Sequence, residues 1–430
     1  MSAVVVFIIF AICLIIAIPI SISLGIVAVL PGAFDASFTA SAGYVIRSMV
    51  GGIDSFPLLA VPMFVLAGIL MAHGKISEKL FDVFVYFLGN KRAGIPCAVI
   101  ITCLFYGAIS GSAPATVAAV GSMMIPLLIE LGYEKDFSTA IVAVAGGLGV
   151  IIPPSIPFIM YAMATGESVS DLFLAGIVPG MMISALLIFY AYYYCCHHGE
   201  DREKIQAKMN QLKEKGFFNI LKESIWALLS PVIVLGCIYT GVASPTEAAV
   251  ISVFYSLFVS LFIYRSIKVK QIWGIMVEAM KTYAPILFIL ATSTAFSRVL
   301  TLMQVPQDVS AWIMTHFSNE IVLLLVINVV LLIVGMVMDT TPAILILSPI
   351  LLPIVEHVGM NPIHFGVMVI VNLAVGFVTP PVGVNLFVAS SLTNVPMMQI
   401  AKKAMPMIGY FMLALLLITF IPAISLCLLS

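Results

Sequence analysis

The stretch from Gly146 to Pro157, Gly-Gly-Leu-Gly-Val-Ile-Ile-Pro-Pro-Ser-Ile-Pro, lies inside a long apolar segment and carries two adjacent prolines. Pro153 and Pro154 have no backbone N–H to donate, and their rings clash with carbonyls one turn earlier, so a helix through this segment must break. The carbonyls around Gly149 to Ile152 then lose their intrahelical partners. In a membrane such groups are tolerated only where they face protein, a water-filled cavity or an ion. The same device recurs at residues 374–381, Ala-Val-Gly-Phe-Val-Thr-Pro-Pro. Gly149 maps to Gly376 and Pro154 to Pro381, in each case (376 minus 149, 381 minus 154) at an offset of 227 residues.

A membrane is what the rest of the chain demands. It is 62% hydrophobic and 9% charged, with a mean hydropathy of +1.19 over 430 residues, values foreign to a soluble domain. Apolar runs of about 20 residues recur, each long enough to cross about 30 Å of hydrocarbon. The N-terminal run from Val4 to Ile18 lacks the basic flank and cleavage site of a signal peptide and is expected to stay as part of a first span, Val4 to Val29. A net charge of −1 argues against a nucleic-acid partner. Seven scattered cysteines suggest no disulfide framework.

In chain order, a mixed segment from Pro31 to Ser55 precedes a second span, Phe56 to Ala72. Lys75, Lys79, Lys91 and Arg92 mark the next loop as cytoplasmic by the excess of basic residues on the inner side. Residues 95–129 are interrupted by Ser110-Gly111-Ser112-Ala113-Pro114-Ala115-Thr116, which fits a hairpin that enters the membrane and turns back. The broken span Phe137 to Met163 and a returning span, Leu172 to Cys196, follow. The polar stretch from His197 to Glu223, with six Lys or Arg, lies inside again. A span from Ile225 to Tyr239 leads to Ser244-Pro245-Thr246-Glu247, a helix start with Pro and an acid in its first turn. After a further crossing, Arg265, Lys268, Lys270 and Lys281 place a loop inside, and Tyr283 to Leu300 goes out. Residues 321–355, broken at Asp339-Thr340-Thr341-Pro342, form a second hairpin, and Phe365 to Leu392 the second broken span; Lys402 and Lys403 lie inside, and a last span runs to Ser430.

The expected fold is therefore an all-α polytopic membrane protein with inverted-topology repeats, two re-entrant hairpins and two discontinuous helices. Its divisions are scaffold helices at 1–92, the first hairpin and broken helix at 93–171, scaffold helices at 172–300 including the cytoplasmic stretch 197–223, the second hairpin and broken helix at 301–403, and a terminal span at 404–430. Paired broken helices in inverted repeats point to a secondary transporter with its site near the bilayer midplane.

Sodium prefers oxygen ligands, which broken helices supply as carbonyls and hairpin tips as hydroxyls. Ser110, Ser112 and Thr116 line the first tip, Thr340 and Thr341 the second, each facing a break, so two sodium sites are expected, with Asp339 and Asn385 as further oxygen donors. The half-helix N-termini after each break favour an anionic group between them, and Thr116, Ser155, Asn385, Arg47 and Arg298 are the candidate substrate contacts. Blander roles compete. Small residues also serve helix packing, Asp339 can cap the following half-helix, and arginines near span ends commonly snorkel to the interface. Cys195-Cys196-His197-His198 lacks the spaced pairs of a zinc site. No metalloprotease or ATP-binding motif and no second intramembrane carboxylate is found, so no enzyme is expected and the driving force is an ion gradient or another subunit.

Taken together, Asp54-Ser55-Phe56-Pro57-Leu58-Leu59-Ala60-Val61-Pro62-Met63-Phe64, the Ser110-Gly111-Ser112 hairpin, Ser244-Pro245-Thr246-Glu247-Ala248-Ala249, Asp339-Thr340-Thr341-Pro342 and Thr379-Pro380-Pro381-Val382-Gly383 make the chain resemble the large membrane subunit of tripartite ATP-independent periplasmic (TRAP) transporters. The resemblance implies sodium-driven uptake by an elevator motion in a bacterial cytoplasmic membrane. It further implies a small four-span membrane subunit as a separate chain, a soluble periplasmic or extracellular substrate-binding protein, and a carboxylate substrate such as a C4-dicarboxylate or sialic acid. It would place sodium at Ser110 and Ser112 with carbonyls of Gly149, Ile152 and Pro154, and at Thr340 and Thr341 with those of Gly376, Thr379 and Pro381. A stand-alone dicarboxylate transporter or antiporter without a binding protein is the alternative.

Overall fold

The computed structural model describes residues 3–34, 38–214, 216–316 and 319–429, and among them it contains helices and no strand. Nine of those helices are long and apolar enough to cross a membrane. The all-α architecture with two hairpins and two discontinuous helices is as the sequence predicts.

The expected single first span is instead two helices, α1 (Ala3–Ile15) and α2 (Ile20–Phe34). Ala17 takes a left-handed backbone (φ 62°), and Pro19 cannot donate back to the preceding turn. The mixed segment, of which residues 35–37 lie outside the described residues, contains α3 (Ala42–Ile53), capped where Ser41 Oγ accepts from the Tyr44 N–H at 3.4 Å. Next come α4 (Ala60–His73) and α5 (Ile76–Leu88), then the hairpin legs α6 (Gly94–Ser110) and α7 (Ala113–Glu130). The first broken span is α8 (Lys135–Ala145), a tight turn over Gly146–Val150, and α9 (Ile156–Thr165).

α10 (Val169–His198) returns. The polar stretch after it is not all loop. It holds α11 (Arg202–Glu214), while Lys215 lies outside the described residues. α12 (Phe217–Tyr239) and α13 (Pro245–Phe258) follow, the latter opened by a capping box in which Ser244 Oγ accepts from the Glu247 N–H (3.3 Å) and the Glu247 carboxylate accepts from the Ser244 N–H (2.8 Å). α14 runs from Val269 to Leu302, about 51 Å at 1.5 Å per residue. It starts well before the expected Tyr283, and Lys281 sits within the helix rather than in a loop, because nothing in residues 269–282 breaks helical geometry and Ile275 and Ala279 supply a buried stripe. α15 (Val305–His316) leads to the second hairpin, α16 (Glu320–Val337) and α17 (Thr340–His357). The second broken span is α18 (Pro362–Gly376) and α19 (Val384–Thr393), followed by α20 (Met397–Phe420) and the short α21 (Ala423–Leu426); residue 430 lies outside the described residues.

The helices form two groups that are themselves joined through α5 on α6 and α14 on α17. α4 lies on α13, α14 on α2, α3 and α4, and α12 on α5 and α13. The hairpins and broken helices pack on one another, with α10 and α20 alongside them. Within that second set the repeats interlock. The first arm of each broken helix lies on its own hairpin, whereas the second arm crosses to the other one, α9 against α17 and α19 against α7. The base of the first hairpin is clasped by Glu200, whose side chain is only 2% exposed. Its carboxylate accepts from the Ala93 N–H (3.1 Å) at the start of α6 and from Tyr133 Oη (2.7 Å) just beyond α7, and pairs with Arg202 at 3.0 Å. Next to it Lys403 and the Tyr194 hydroxyl hold the Glu134 carboxyl below its usual range.

Candidate transport site

Each hairpin tip meets its own break through glycine. A methyl group on Gly107 would lie 2.6 Å from the Gly149 Cα, and one on Gly149 would lie 2.5 Å from Thr116 Oγ1 and 2.8 Å from the Ser112 carbonyl oxygen. In the second repeat a methyl on Gly376 would lie 2.7 Å from the Gly335 carbonyl oxygen. Gly107 and Gly335 are 228 residues apart (335 minus 107), so the two contacts are repeat equivalents. Only residues without a side chain allow backbone to approach backbone this closely.

At the first tip the chain reverses through Gly111 in a left-handed conformation (φ 60°), and its carbonyl accepts from the Ile156 N–H at 3.2 Å, so the tip is bonded to the start of α9. Ser110 and Thr116 are buried, with their hydroxyls 2.9 Å apart; Thr116 Oγ1 donates to the Ser112 carbonyl at 2.8 Å. Ser155 is fully buried, donating from Oγ to the Val150 carbonyl (2.6 Å) and accepting from the Phe158 N–H (3.5 Å) as the cap of α9. The Ser155 hydroxyl is thus engaged in closing the break itself.

At the second tip Asp339 caps α17, accepting from the Thr340 N–H at 2.7 Å, with its residue surface exposed while Thr340 and Thr341 are buried. Thr379 Oγ1 donates to the Val375 carbonyl one turn back (2.7 Å), and the Val382 N–H reaches the Met336 carbonyl at 3.3 Å, joining the break to the hairpin. Asn385 bridges the repeats. Its Nδ2 donates to the Ala143 carbonyl of α8 at 3.1 Å, and its Oδ1 is buried with no protein partner. Arg47 and Arg298 are exposed on the paired helices α3 and α14, with Arg298 beside Gly51. The stretch of α14 around Arg298 packs beside the second tip, where Ala295, Phe296 and Val299 share a buried cluster with Met338.

Two groups escaped the sequence reading. Within the second repeat, Asn372 Nδ2 donates to the carbonyl (2.9 Å) and Oδ1 (2.8 Å) of Asn328, joining α18 to α16 in the buried interior. Asparagines inside apolar runs are the signal that could have found them. A cavity of about 500 Å³ also opens beside the first tip, lined by Ser110 and Ser112 of the hairpin and by Glu278 and Thr282 of α14.

Paired hairpins, each against a discontinuous helix and interlocked through a pseudo-repeat, are the architecture of a secondary transporter. The solved structures with this fold include the Alcanivorax borkumensis YdaH transporter, at a TM-score of 0.64 and 15% identity, covering 93% of this chain and 96% of that one. Neisseria gonorrhoeae MtrF matches at a TM-score of 0.63 and 15% identity over 93% of both chains. Residues 7–424 match the family described as tripartite ATP-independent periplasmic transporter, DctM component, and the chain belongs to that family. It is a multi-pass protein of the bacterial inner membrane and a transporter permease rather than an enzyme. Among curated relatives, the isethionate TRAP transporter permease protein DctMQ of Oleidesulfovibrio alaskensis is 42% identical over 96% of this chain, which spans only 64% of that relative. The C4-dicarboxylate TRAP transporter large permease protein DctM of Pseudomonas aeruginosa is 39% identical over 87% of this chain and 86% of its own, and the 2,3-diketo-L-gulonate TRAP transporter large permease protein YiaN of Escherichia coli is 35% identical over 87% of each.

Proposed function

We propose that the chain is the large subunit of a sodium-coupled importer for a small organic acid, receiving substrate from a soluble binding protein and acting with a small four-span membrane subunit. The observation that carries this reading is the duplicated tip-against-break contact, in which the Thr116 hydroxyl and the Ser112 carbonyl close on Gly149 and the Gly335 backbone closes on Gly376. Such a gathering of hydroxyl and carbonyl oxygens at helix ends suits a hard monovalent cation. One sodium ion would take Ser110, Ser112 and the carbonyls of Gly149, Ile152 and Pro154. The other would take Asp339, Thr340, Thr341 and the carbonyls of Gly376, Thr379 and Pro381. The partnerless Oδ1 of Asn385, at the crossing of the two repeats, is the strongest candidate for a substrate or ion contact.

Relatives named for isethionate, C4-dicarboxylates and 2,3-diketo-L-gulonate support an organic anion as the substrate class, within which sialic acid or a C4-dicarboxylate remains our reading. The interlocked hairpins would move as one body against α2–α5 and α12–α14 in an elevator. The test is uptake into liposomes holding this chain and its small subunit, with binding proteins loaded with a C4-dicarboxylate, sialic acid or a sulfonate, with and without an inward sodium gradient. Uptake requiring both sodium and a binding protein is expected. Sodium-driven uptake without a binding protein would favour a stand-alone carrier, and uptake indifferent to sodium would overturn the cation sites.

A further inference from the structure

The cavity beside the first hairpin tip has an unexpected wall. Glu278 of α14, its side chain 55% exposed, is the one charged residue lining it together with Ser110 and Ser112, and the remaining lining is largely apolar. A carboxylate is the wrong group to hold an organic anion, since like charges repel. It is the right group to receive a cation.

Glu278 also lines a second cavity of about 380 Å³, together with His73, Gln271 and Ser266. His73 lies at the end of α4, immediately before Lys75 and Lys79, and Ser266 and Gln271 flank Lys268 and Lys270. This is the side that basic residues assign to the cytoplasm. Glu278 thus stands where a chamber at the hairpin tip adjoins one leading toward the cytoplasmic surface. Its Oε2 is 3.0 Å from His73 Nε2, which ties the carboxylate of α14 to α4 at that boundary.

We propose that Glu278 is a transit site for sodium leaving the first hairpin toward the cytoplasm, with His73 as the residue that positions its carboxylate and limits how tightly it holds the ion. The same charge would repel the organic anion, so cation and substrate would part company at this wall. The proposal rests on the sodium-coupled reading of the hairpin tips, and adds an ion-binding side chain outside both hairpins and both breaks.

The test exploits sidedness. In liposomes with the cytoplasmic face inward and the membrane potential clamped, lumenal sodium should inhibit uptake by keeping the exit loaded. Glu278→Gln should raise the half-inhibiting lumenal sodium concentration by roughly fivefold, the factor one contact charge supplies in water. The external sodium concentration for half-activation should stay near that of the unaltered protein. Glu278→Asp, which keeps the charge, should restore most of the lumenal effect; a pair that merely clamped α4 to α14 would shift neither face selectively. An active Glu278→Gln protein with unchanged lumenal inhibition overturns the proposal while leaving sodium coupling intact. Should Glu278→Gln fail to insert, His73→Gln carries the test. A lower half-inhibiting lumenal concentration supports the assignment, and no shift overturns it. Sodium-indifferent uptake by the unaltered protein would remove the coupling reading and this proposal together.

Discussion

The two repeats use one backbone design with two different sets of polar side chains. Gly107 on Gly149 and Gly335 on Gly376 are equivalent contacts, so both hairpins approach their breaks at the same close range. Around the first contact lie hydroxyls, with Ser110, Thr116 and the Ser112 carbonyl mutually bonded. At the second tip, a few residues beyond Gly335, lie a carboxylate and buried threonines, and elsewhere in α16 and α18 the Asn328–Asn372 amide pair. The repeat equivalents of those asparagines are Ile100 and Ala145 (328 minus 228, 372 minus 227), which leave the first hairpin without such a tie. Instead its base is clasped by Glu200. The close approach of backbones tolerates almost no variation, because no side chain fits there. The polar groups that fasten each hairpin are interchangeable, because any satisfied hydrogen bond will serve.

The hardest test of that equivalence is to fill both contacts. Gly376→Ala and Gly149→Ala should each destabilise by about 1–3 kcal/mol or more and abolish uptake, read by thermal unfolding in detergent and by transport. Gly376→Ala should be the worse, since its methyl meets the Gly335 backbone, whereas part of the clash at Gly149 is with the Thr116 hydroxyl. Gly409→Ala, with nothing within 4 Å, is the control. Equal tolerance of all three would break the comparison.

The asparagine pair sharpens it next. Asn328→Leu or Asn372→Leu should each cost about 1–3 kcal/mol, by stranding the partner amide, and the double variant should cost less than the sum. Strict additivity would show that the pair does not act as a unit. Ser112→Ala and Thr341→Ala should each raise the sodium concentration for half-activation by about fivefold, roughly 1 kcal/mol of lost ligation per site, while leaving insertion and folding unchanged. Normal sodium activation in both variants removes these residues from the sites. The smallest effect is expected from Thr116→Val, whose repeat equivalent is Ile344 (116 plus 228). Losing its bonds to Ser110 and Ser112 should lower stability by about 1 kcal/mol, and a neutral result would show that the first tip needs its hydroxyls only for ions.

Much of this protein follows from sequence because membranes make backbone satisfaction obligatory. A double proline inside an apolar run must break a helix whatever surrounds it, so both discontinuities, both hairpins, the 227-residue repeat and the tip hydroxyls are local consequences of residue type and order. The N-terminal break at Ala17–Pro19 and the early start of α14 were missed because hydropathy alone does not mark a helix end within an apolar run or a helix start within an amphipathic one. What tertiary structure alone decided is which surfaces meet across long separations. Asn385 reaching Ala143, α9 and α19 crossing to the opposite hairpins, Glu200 clasping both ends of one hairpin and Glu278 lining one cavity with Ser112 all bring together residues tens to hundreds of positions apart. No local pattern encodes such pairings, since they depend on how completed helices pack and on which buried polar groups then find partners.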